Sequence, residues 1–262
     1  MSNVKIPLVL ADSVKSGDTV SLHAGTVDVP QGGAATPSYC PGLRVGDRLK
    51  SDGASLLVLS SGWLSGGPDE RSTAVYRLRA ETDAAAGEHV CAVSRAGYAL
   101  AWITLSDKGS RGERVDESGP LIGRAVGEKL DLAVIQGFVI PDEPGQLKGL
   151  IADLALNRGF DLIMTTGGTG VAPRDVTPEA TLAVIEKRLP GYERAMTAAS
   201  LSKTPHGAIS RAVAGTLGQA LVVNMPGSPK AVAECLEPLL PTLRHTLEKL
   251  QGDPSDCANL HN

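Results

Sequence analysis

The sequence predicts an α/β protein: a mostly parallel sheet with helices on both faces, preceded by a small all-β module. Three observations lead there. From Tyr98 onward, strand-like apolar runs alternate with helical apolar stripes, the pattern of a sheet built by crossover connections. Before Tyr98, short apolar runs are separated by Gly, Asp and Pro turn signals. Aromatic residues make up 3% of a chain that is 42% hydrophobic, so the core is built from Ala, Val, Leu and Ile. A length of 262 residues allows one large or two modest domains.

In the first stretch the apolar runs are Ile6–Leu10, Thr19–Leu22, Leu56–Leu59 and Ala74–Leu78. Turn signals stand between them at Ser16-Gly17-Asp18, Gly32-Gly33, Gly46-Asp47, Ser51-Asp52-Gly53 and Ser65-Gly66-Gly67-Pro68. Lys15–Val20 (KSGDTV) and Arg44–Leu49 (RVGDRL) echo each other, each with a Gly-Asp turn feeding a strand. That suggests a small barrel or sandwich, although two short matches do not make a repeat. Ala80–Glu88, small and polar, reads as a linker or a short helix. The boundary is placed near Arg95, giving a β-rich module over 1–95, a second domain over 96–252 and a flexible tail over 253–262.

The second stretch reads Tyr98–Leu105 as a buried strand, Leu121–Leu130 as a helix and Leu132–Ile140 as a strand. Gln146–Leu156 carries a helical apolar stripe, and Phe160–Thr165 is a third strand. Thr181–Leu189 and Glu193–Leu201 read as helices and Ala220–Asn224 as a strand. A final helix from Ser228 is kinked or divided by Pro238 and Pro241.

A formal net charge of −4 argues against a broad basic surface for nucleic acid. No apolar run approaches the roughly 20 residues of a membrane span. The opening MSNVKIPLVLADSVKSGD lacks a long apolar region and a small-residue cleavage site, so it reads as no signal peptide. Cys40, Cys91, Cys235 and Cys257 form no Cys-x-x-Cys pair, which fits scattered thiols in a reducing cytoplasm. His23, His89, His245 and His261 show no metal spacing, and His206 reads as an exposed loop residue.

Chemistry gathers where loops leave the strands. Thr165-Thr-Gly-Gly-Thr-Gly170 follows the strand FDLIM; its glycines let backbone approach a ligand, and successive N–H groups can cradle an anion. Alone, such a turn is as readily structural, and no Gly-Lys-Ser/Thr makes it a P-loop. In Arg174-Asp-Val-Thr-Pro-Glu179, Thr177 reads as an N-cap with Pro178 first in the helix. Capping leaves Arg174 and Asp175 unexplained. Asn224-Met-Pro-Gly-Ser-Pro229 is either a cap at Ser228 or an anion site at a helix start. Asp142, in Ile140-Pro-Asp-Glu-Pro144, either caps the next helix or projects a carboxylate into a cleft. Ser106-Asp-Lys-Gly-Ser-Arg-Gly112, with Asp116 beyond it, is either a flexible turn or a cover over substrate. These loops follow four strands, and in a parallel sheet they converge on one edge.

Together the segments resemble the MogA/MoaB family, which includes the matching domains of gephyrin and its plant counterpart. Its TTGGTG and RDVTPE hallmarks stand at Thr165–Gly170 and Arg174–Glu179, its N-L/M-P-G-S/N-P hallmark at Asn224–Pro229. Its opening S-D-x-x-x-x-G stands at Ser106–Gly112, the PDE turn at Pro141–Glu143 and Ser-Arg-x-V-x-G at Ser210–Gly215. The likeness runs from about Tyr98 to Leu250 in one register; the first ~95 residues lie outside it.

The resemblance implies a molybdopterin-binding α/β domain, a homotrimer, that adenylylates molybdopterin with Mg-ATP in molybdenum cofactor biosynthesis. It implies Asp142 and Asp175 as the catalytic acids, and carboxylates with water are the usual company of Mg²⁺. Substrate binding falls to Ser106, Asp107, Thr166, Gly167, Gly168, Thr169, Gly170, Ser210, Pro226, Gly227 and Ser228. Arg211 is either a phosphate contact or a surface ion pair. The cofactors implied are Mg²⁺ and ATP, the location cytoplasmic, and a molybdate-inserting enzyme a partner. The competing readings are a carrier that binds molybdopterin without adenylylating it, and a β module that recruits a partner.

Overall fold

A computed structural model describes residues 4–26, 28–37, 42–65 and 72–253. It divides into two compact units, Met1–Ala99 and Leu100–Asn262. The tail from residue 254 and the Gly66-Gly67-Pro68 turn fall outside the described residues.

The first unit carries β1 (Lys5–Leu10), β2 (Thr19–Ala24), β3 (Ala34–Thr36), β4 (Asp47–Lys50), β5 (Ser55–Leu64), β6 (Thr73–Ala80) and β7 (Gly87–Arg95). They close into a barrel in the order β1-β3-β2-β6-β5-β4-β7. β7 returns antiparallel to β1, from Lys5 opposite Ala92 to Leu10 opposite Gly87, while β2 and β3 run parallel. Alternation puts Ile6, Leu8 and Leu10 of β1, and Val20, Leu22 and Ala24 of β2, into one apolar core. The two echoing phrases fold into the same turn. Asp18 accepts from the Lys15 N–H at 2.8 Å and Asp47 from the Arg44 N–H at 2.7 Å. Ala80–Glu88 is neither linker nor helix. It joins β6 to β7, and in it Ala84 exchanges both backbone hydrogen bonds with Val14 at 2.9 Å.

The second unit carries β8 (Tyr98–Leu105), α1 (Asp107–Ser110), α2 (Ser118–Gly127), β9 (Leu132–Ile140), α3 (Pro144–Ala152) and β10 (Leu162–Thr166). Then come α4 (Thr177–Leu182), β11 (Lys187–Arg188), α5 (Pro190–Lys203), β12 (Ala214–Leu217), β13 (Ala220–Met225), α6 (Pro229–Leu236) and α7 (Leu240–Leu250). The sheet order is β11-β12-β13-β10-β8-β9. Parallel pairing aligns Leu100, Leu162 and Leu221 across β8, β10 and β13. The sheet is nevertheless mixed, which corrects the expected mostly parallel one. β12 and β13 are joined through Gly218 and Gln219, and so short a connection permits only an antiparallel pair. β11 adds antiparallel to β12.

The helix expected over Thr181–Leu189 stops at Leu182. Leu189 precedes Pro190, which disfavours helical backbone. Instead the chain bonds to the sheet edge, Glu186 N–H to Thr216 O and Leu189 N–H to Ala214 O, both at 2.7 Å. The C-terminal helix is divided between Leu236 and Leu240, as its prolines predict. No helix among the described residues is long and apolar enough to cross a membrane.

Trp102 of β8 sets how close α2 and β9 come to the sheet. A Cβ on Gly119 would fall 2.2 Å from the indole, and one on Gly137 would fall 2.3 Å from it. Both positions therefore accept only hydrogen. Gly119→Ala is expected to lower stability by about 1–3 kcal/mol through overpacking. Urea unfolding checks this, and an unchanged midpoint would show that the ring can move aside.

Candidate functional site

The ends of β8, β10 and β13 open onto a cavity of about 850 Å³. Ligands of open α/β sheets collect beyond the carboxyl ends of the parallel strands, and a volume of this size suits a small-molecule site. Ser106, Asp107 and Lys108 line it from the loop after β8, and Asp142 from the loop after β9. Thr166, Gly167, Gly168 and Asp175 line it after β10, and Gly227 and Ser228 after β13.

The floor is the Gly167–Gly168 turn. Gly167 has φ +96° and Gly168 has φ +63°, backbone that a side chain strains. Space forbids a side chain as well. A Cβ on Gly167 would lie 2.5 Å from the Leu105 carbonyl oxygen, and one on Gly168 would lie 2.4 Å from Thr177 Oγ1. Thr177 is fully buried, and its hydroxyl donates to the Gly167 carbonyl at 2.8 Å. Thr177 is therefore not the N-cap expected of it; Val176 holds that place, and the threonine pins the turn. Thr166 donates to the Pro226 carbonyl at 2.6 Å, and Ser118 at the start of α2 donates to the Gly227 carbonyl at 3.0 Å. Ser228 does cap α6, accepting from the Ala231 N–H at 3.3 Å.

Asp142 is not a helix cap: Glu143 occupies the N-cap of α3. Asp142 and Asp107 instead grip each other's backbone. The Asp107 N–H donates to Asp142 Oδ2 at 3.1 Å and the Asp142 N–H to Asp107 Oδ1 at 3.2 Å. Burial pushes the Asp142 carboxyl above its usual range, and the charges of Asp107 and Asp175 add to that rise. Asp107 is held below the usual range by the Arg174 guanidinium. Asp175 closes its own loop, its Oδ2 accepting from the Ala172 N–H at 2.8 Å.

Thus Ser106, Asp107, Asp142, Thr166, Gly167, Gly168, Asp175, Gly227 and Ser228 share one cavity. Thr169, Gly170 and Pro226 lie behind it. Thr169 is buried, and a Cβ on Gly170 would meet Asp175 at 2.7 Å. Ser210 and Arg211 line a different cavity of about 600 Å³, with Arg188 and Arg194. Arg211 is spent on protein. Its Nε donates to the Gly170 carbonyl at 2.7 Å and its Nη2 to the Asp175 carbonyl at 2.8 Å, and it pairs with Glu179. Sequence reasoning missed Lys108, Arg114, Val115 and Ser118, which also line the main cavity. Arg174 and Asp116 have no role legible in the sequence; Asp116 accepts from the Thr104 hydroxyl at 2.8 Å. Among the described residues, no group of three or more His, Cys, Asp or Glu is arranged to hold a metal.

A parallel-strand cleft floored by a glycine turn, and lined by carboxylates and the start of α6, defines an α/β domain with a cavity at its strand ends that suits a small anionic molecule. Residues 101–245 match the model of a family described as a probable molybdopterin binding domain, and the chain belongs to that family. It is 35% identical to the molybdopterin adenylyltransferase of Helicobacter pylori over 58% of this chain and 86% of that protein. It is 38% identical to gephyrin of Dictyostelium discoideum over 58% of this chain, but spans only 22% of that protein's length. The crystal structure of the molybdopterin biosynthesis enzyme MoaB from Thermus thermophilus superposes with a TM-score of 0.55 at 42% identity, over 61% of this chain and 99% of that one.

The raised Asp142 pKa makes a prediction with a definite sign. A carboxyl whose folded pKa lies above its unfolded value costs stability when ionised, and that cost fades as falling pH protonates it. Asp142→Asn keeps an acceptor for the Asp107 N–H. It is expected to raise the melting temperature at about pH 7 and to leave it unchanged near pH 3, below both pKa values. A lower melting temperature at neutral pH would contradict this.

Proposed function

We propose that the second unit transfers AMP from ATP to the terminal phosphate of molybdopterin, within molybdenum cofactor biosynthesis. One observation carries the reading. Asp142 and Asp175 face the same cavity as the Gly167–Gly168 backbone and the Ser228 helix start. Carboxylates beside anion-accepting backbone suit a reaction between two phosphate esters, not the binding of one.

A phosphate oxygen of the pterin attacks the α-phosphorus of ATP, the bond from that phosphorus to the β-bridging oxygen breaks, and pyrophosphate leaves. The attacking oxygen is already anionic near pH 7, so no general base is required. What the protein must supply is alignment and relief of repulsion. The start of α6 and the rest of the glycine turn hold anionic oxygen; the Gly167 N–H is already bonded to the Met225 carbonyl. Asp142 and Asp175 organise the nucleotide end.

The donor set fits Mg²⁺, which takes one or two carboxylates and completes its shell with water and substrate phosphate. Gly168 keeps the space beside Asp142 open: a Cβ there would stand 3.5 Å from its Oδ1. Asp142 and Asp175 would hold the ion, which supplies charge neutralisation on the polyphosphate when bound. Homotrimeric assembly, a cytoplasmic location and delivery of the product to a molybdate-inserting enzyme complete the proposal; they rest on the family resemblance.

Purified protein given Mg-ATP is expected to release pyrophosphate only when molybdopterin is present. Binding of the pterin without release would replace the transferase with a carrier. Asp175→Asn is expected to reduce turnover at least about 100-fold while the protein stays folded. Full activity in that variant would remove Asp175 from the nucleotide end.

A further inference from the structure

Arg174 holds a position that neither the family motif nor the proposed chemistry explains. It stands in the short turn between the glycine loop and α4, closed by Asp175 N–H to Ala172 O at 2.9 Å. Its guanidinium reaches across two other loops. Nη2 donates to Asp107 at 2.8 and 3.0 Å and Nε at 3.2 Å, and Nη1 donates to Glu143 at 3.0 Å.

Arg174 and its partners adjoin the carboxylates that line the cavity, and Asp107 lines it itself. Glu143 follows Asp142 in sequence, Arg174 precedes Asp175, and Asp107 is locked to Asp142 by two reciprocal hydrogen bonds. One side chain thus ties the loops after β8, β9 and β10 at the point where their acids converge. It also cancels charge. Asp107, Asp142 and Asp175 line a site meant for polyanions, Glu143 adjoins Asp142, and Arg174 is bonded to Asp107 and Glu143. Each of its nitrogens bonds a protein carboxylate, and Arg174 does not line the cavity.

We propose that Arg174 is a positioning residue: it fixes Asp142 relative to Asp175 and neutralises Asp107 and Glu143, so that the two inner acids can accept a metal–nucleotide complex. The proposal rests on the adenylyl-transfer reading of the same cavity. The ion pairs are half exposed, with Arg174 55% accessible against 35% for Asp107 and 47% for Glu143. Exposed pairs add little to folding, so the role shows in the site and not in the melting temperature. Lysine cannot replace it, because a point charge cannot bond two carboxylates in a fixed fork.

The test compares the full chain with Arg174→Ala, Arg174→Lys and the double variant Arg174→Ala/Asp107→Asn. Three quantities are read: melting temperature, binding of Mn²⁺ with ATP followed by electron paramagnetic resonance, and kcat and KM for pterin-dependent pyrophosphate release. Arg174→Ala is expected to weaken Mn²⁺–ATP binding and lower kcat by about 10- to 100-fold. KM for the pterin and the melting temperature should stay unchanged. Arg174→Lys should recover little. The double variant should recover part of both losses, because it removes the charge that the arginine had covered while leaving an oxygen for the Asp142 N–H.

Unchanged binding and kcat in Arg174→Ala would overturn the proposal. So would a deeper loss in the double variant, or a loss that follows a fall in melting temperature. Wild-type protein that binds Mn²⁺–ATP without releasing pyrophosphate would defeat the transferase reading, while weaker Mn²⁺–ATP binding by Arg174→Ala would still uphold its positioning role. Wild-type protein that binds no Mn²⁺–ATP would defeat both.

Discussion

The second unit depends on one tight contact, the seating of the Gly167–Gly168 turn between the ends of its neighbours. The turn leaves β10 under the Leu105 carbonyl at the end of β8, bonds to the Met225 carbonyl at the end of β13 at 3.3 Å, and is held from below by the buried Thr177 hydroxyl. No side chain fits there. With nothing between the strand ends and α4, the loops after three parallel strands come within hydrogen-bonding distance, and the cavity is what remains above them. The turn therefore serves architecture and site together: the closeness that excludes a Cβ seats Gly167 and Gly168 in the wall of the cavity.

Around that turn, two arginines bond the loops to one another. Arg211 fastens the carbonyls of Gly170 and Asp175 from behind, and Arg174 fastens Asp107 and Glu143 across the rim. These partners lie far apart in sequence. The guanidinium bonds add to the hydroxyl and backbone bonds that place the loops, and they are directional. Arg211 bonds two backbone carbonyls and Glu179, while Arg174 bonds carboxylates alone. The first fixes the course of the chain, the second the balance of charge among the acids.

The barrel follows different rules. Its core is an alternating set of Leu, Val, Ile and Ala, and its closure removes the exposed edges that so short a set of strands would otherwise present. The two Gly-Asp phrases show how local chemistry enters. In each, an aspartate bonds the backbone three residues earlier, and the turn is made before any long-range contact is required. β3 and β7 are different. Three small residues, or a half-buried run with no clean alternation, give no local instruction; pairing with a partner strand decides them.

The sequence by itself determined the strand–helix alternation, the strands β1, β2, β8, β9 and β13, the cap at Ser228, and the loops that carry the chemistry. Each rests on periodicity or on residues with restricted backbone, and those act over a few positions. The same local view placed Asp142 and Asp175 among the acids of interest. Only the tertiary structure decided that the sheet is mixed, that residues 183–189 leave the helix for a sheet edge, and that Thr177 pins a turn instead of capping a helix. It alone separated Arg211, which is spent on backbone carbonyls, from Arg174, which spans three loops. The reason is distance along the chain. A guanidinium and a carboxylate 67 residues apart leave no mark on each other's neighbourhood in sequence, and they meet only because parallel strands end at the same edge of one sheet.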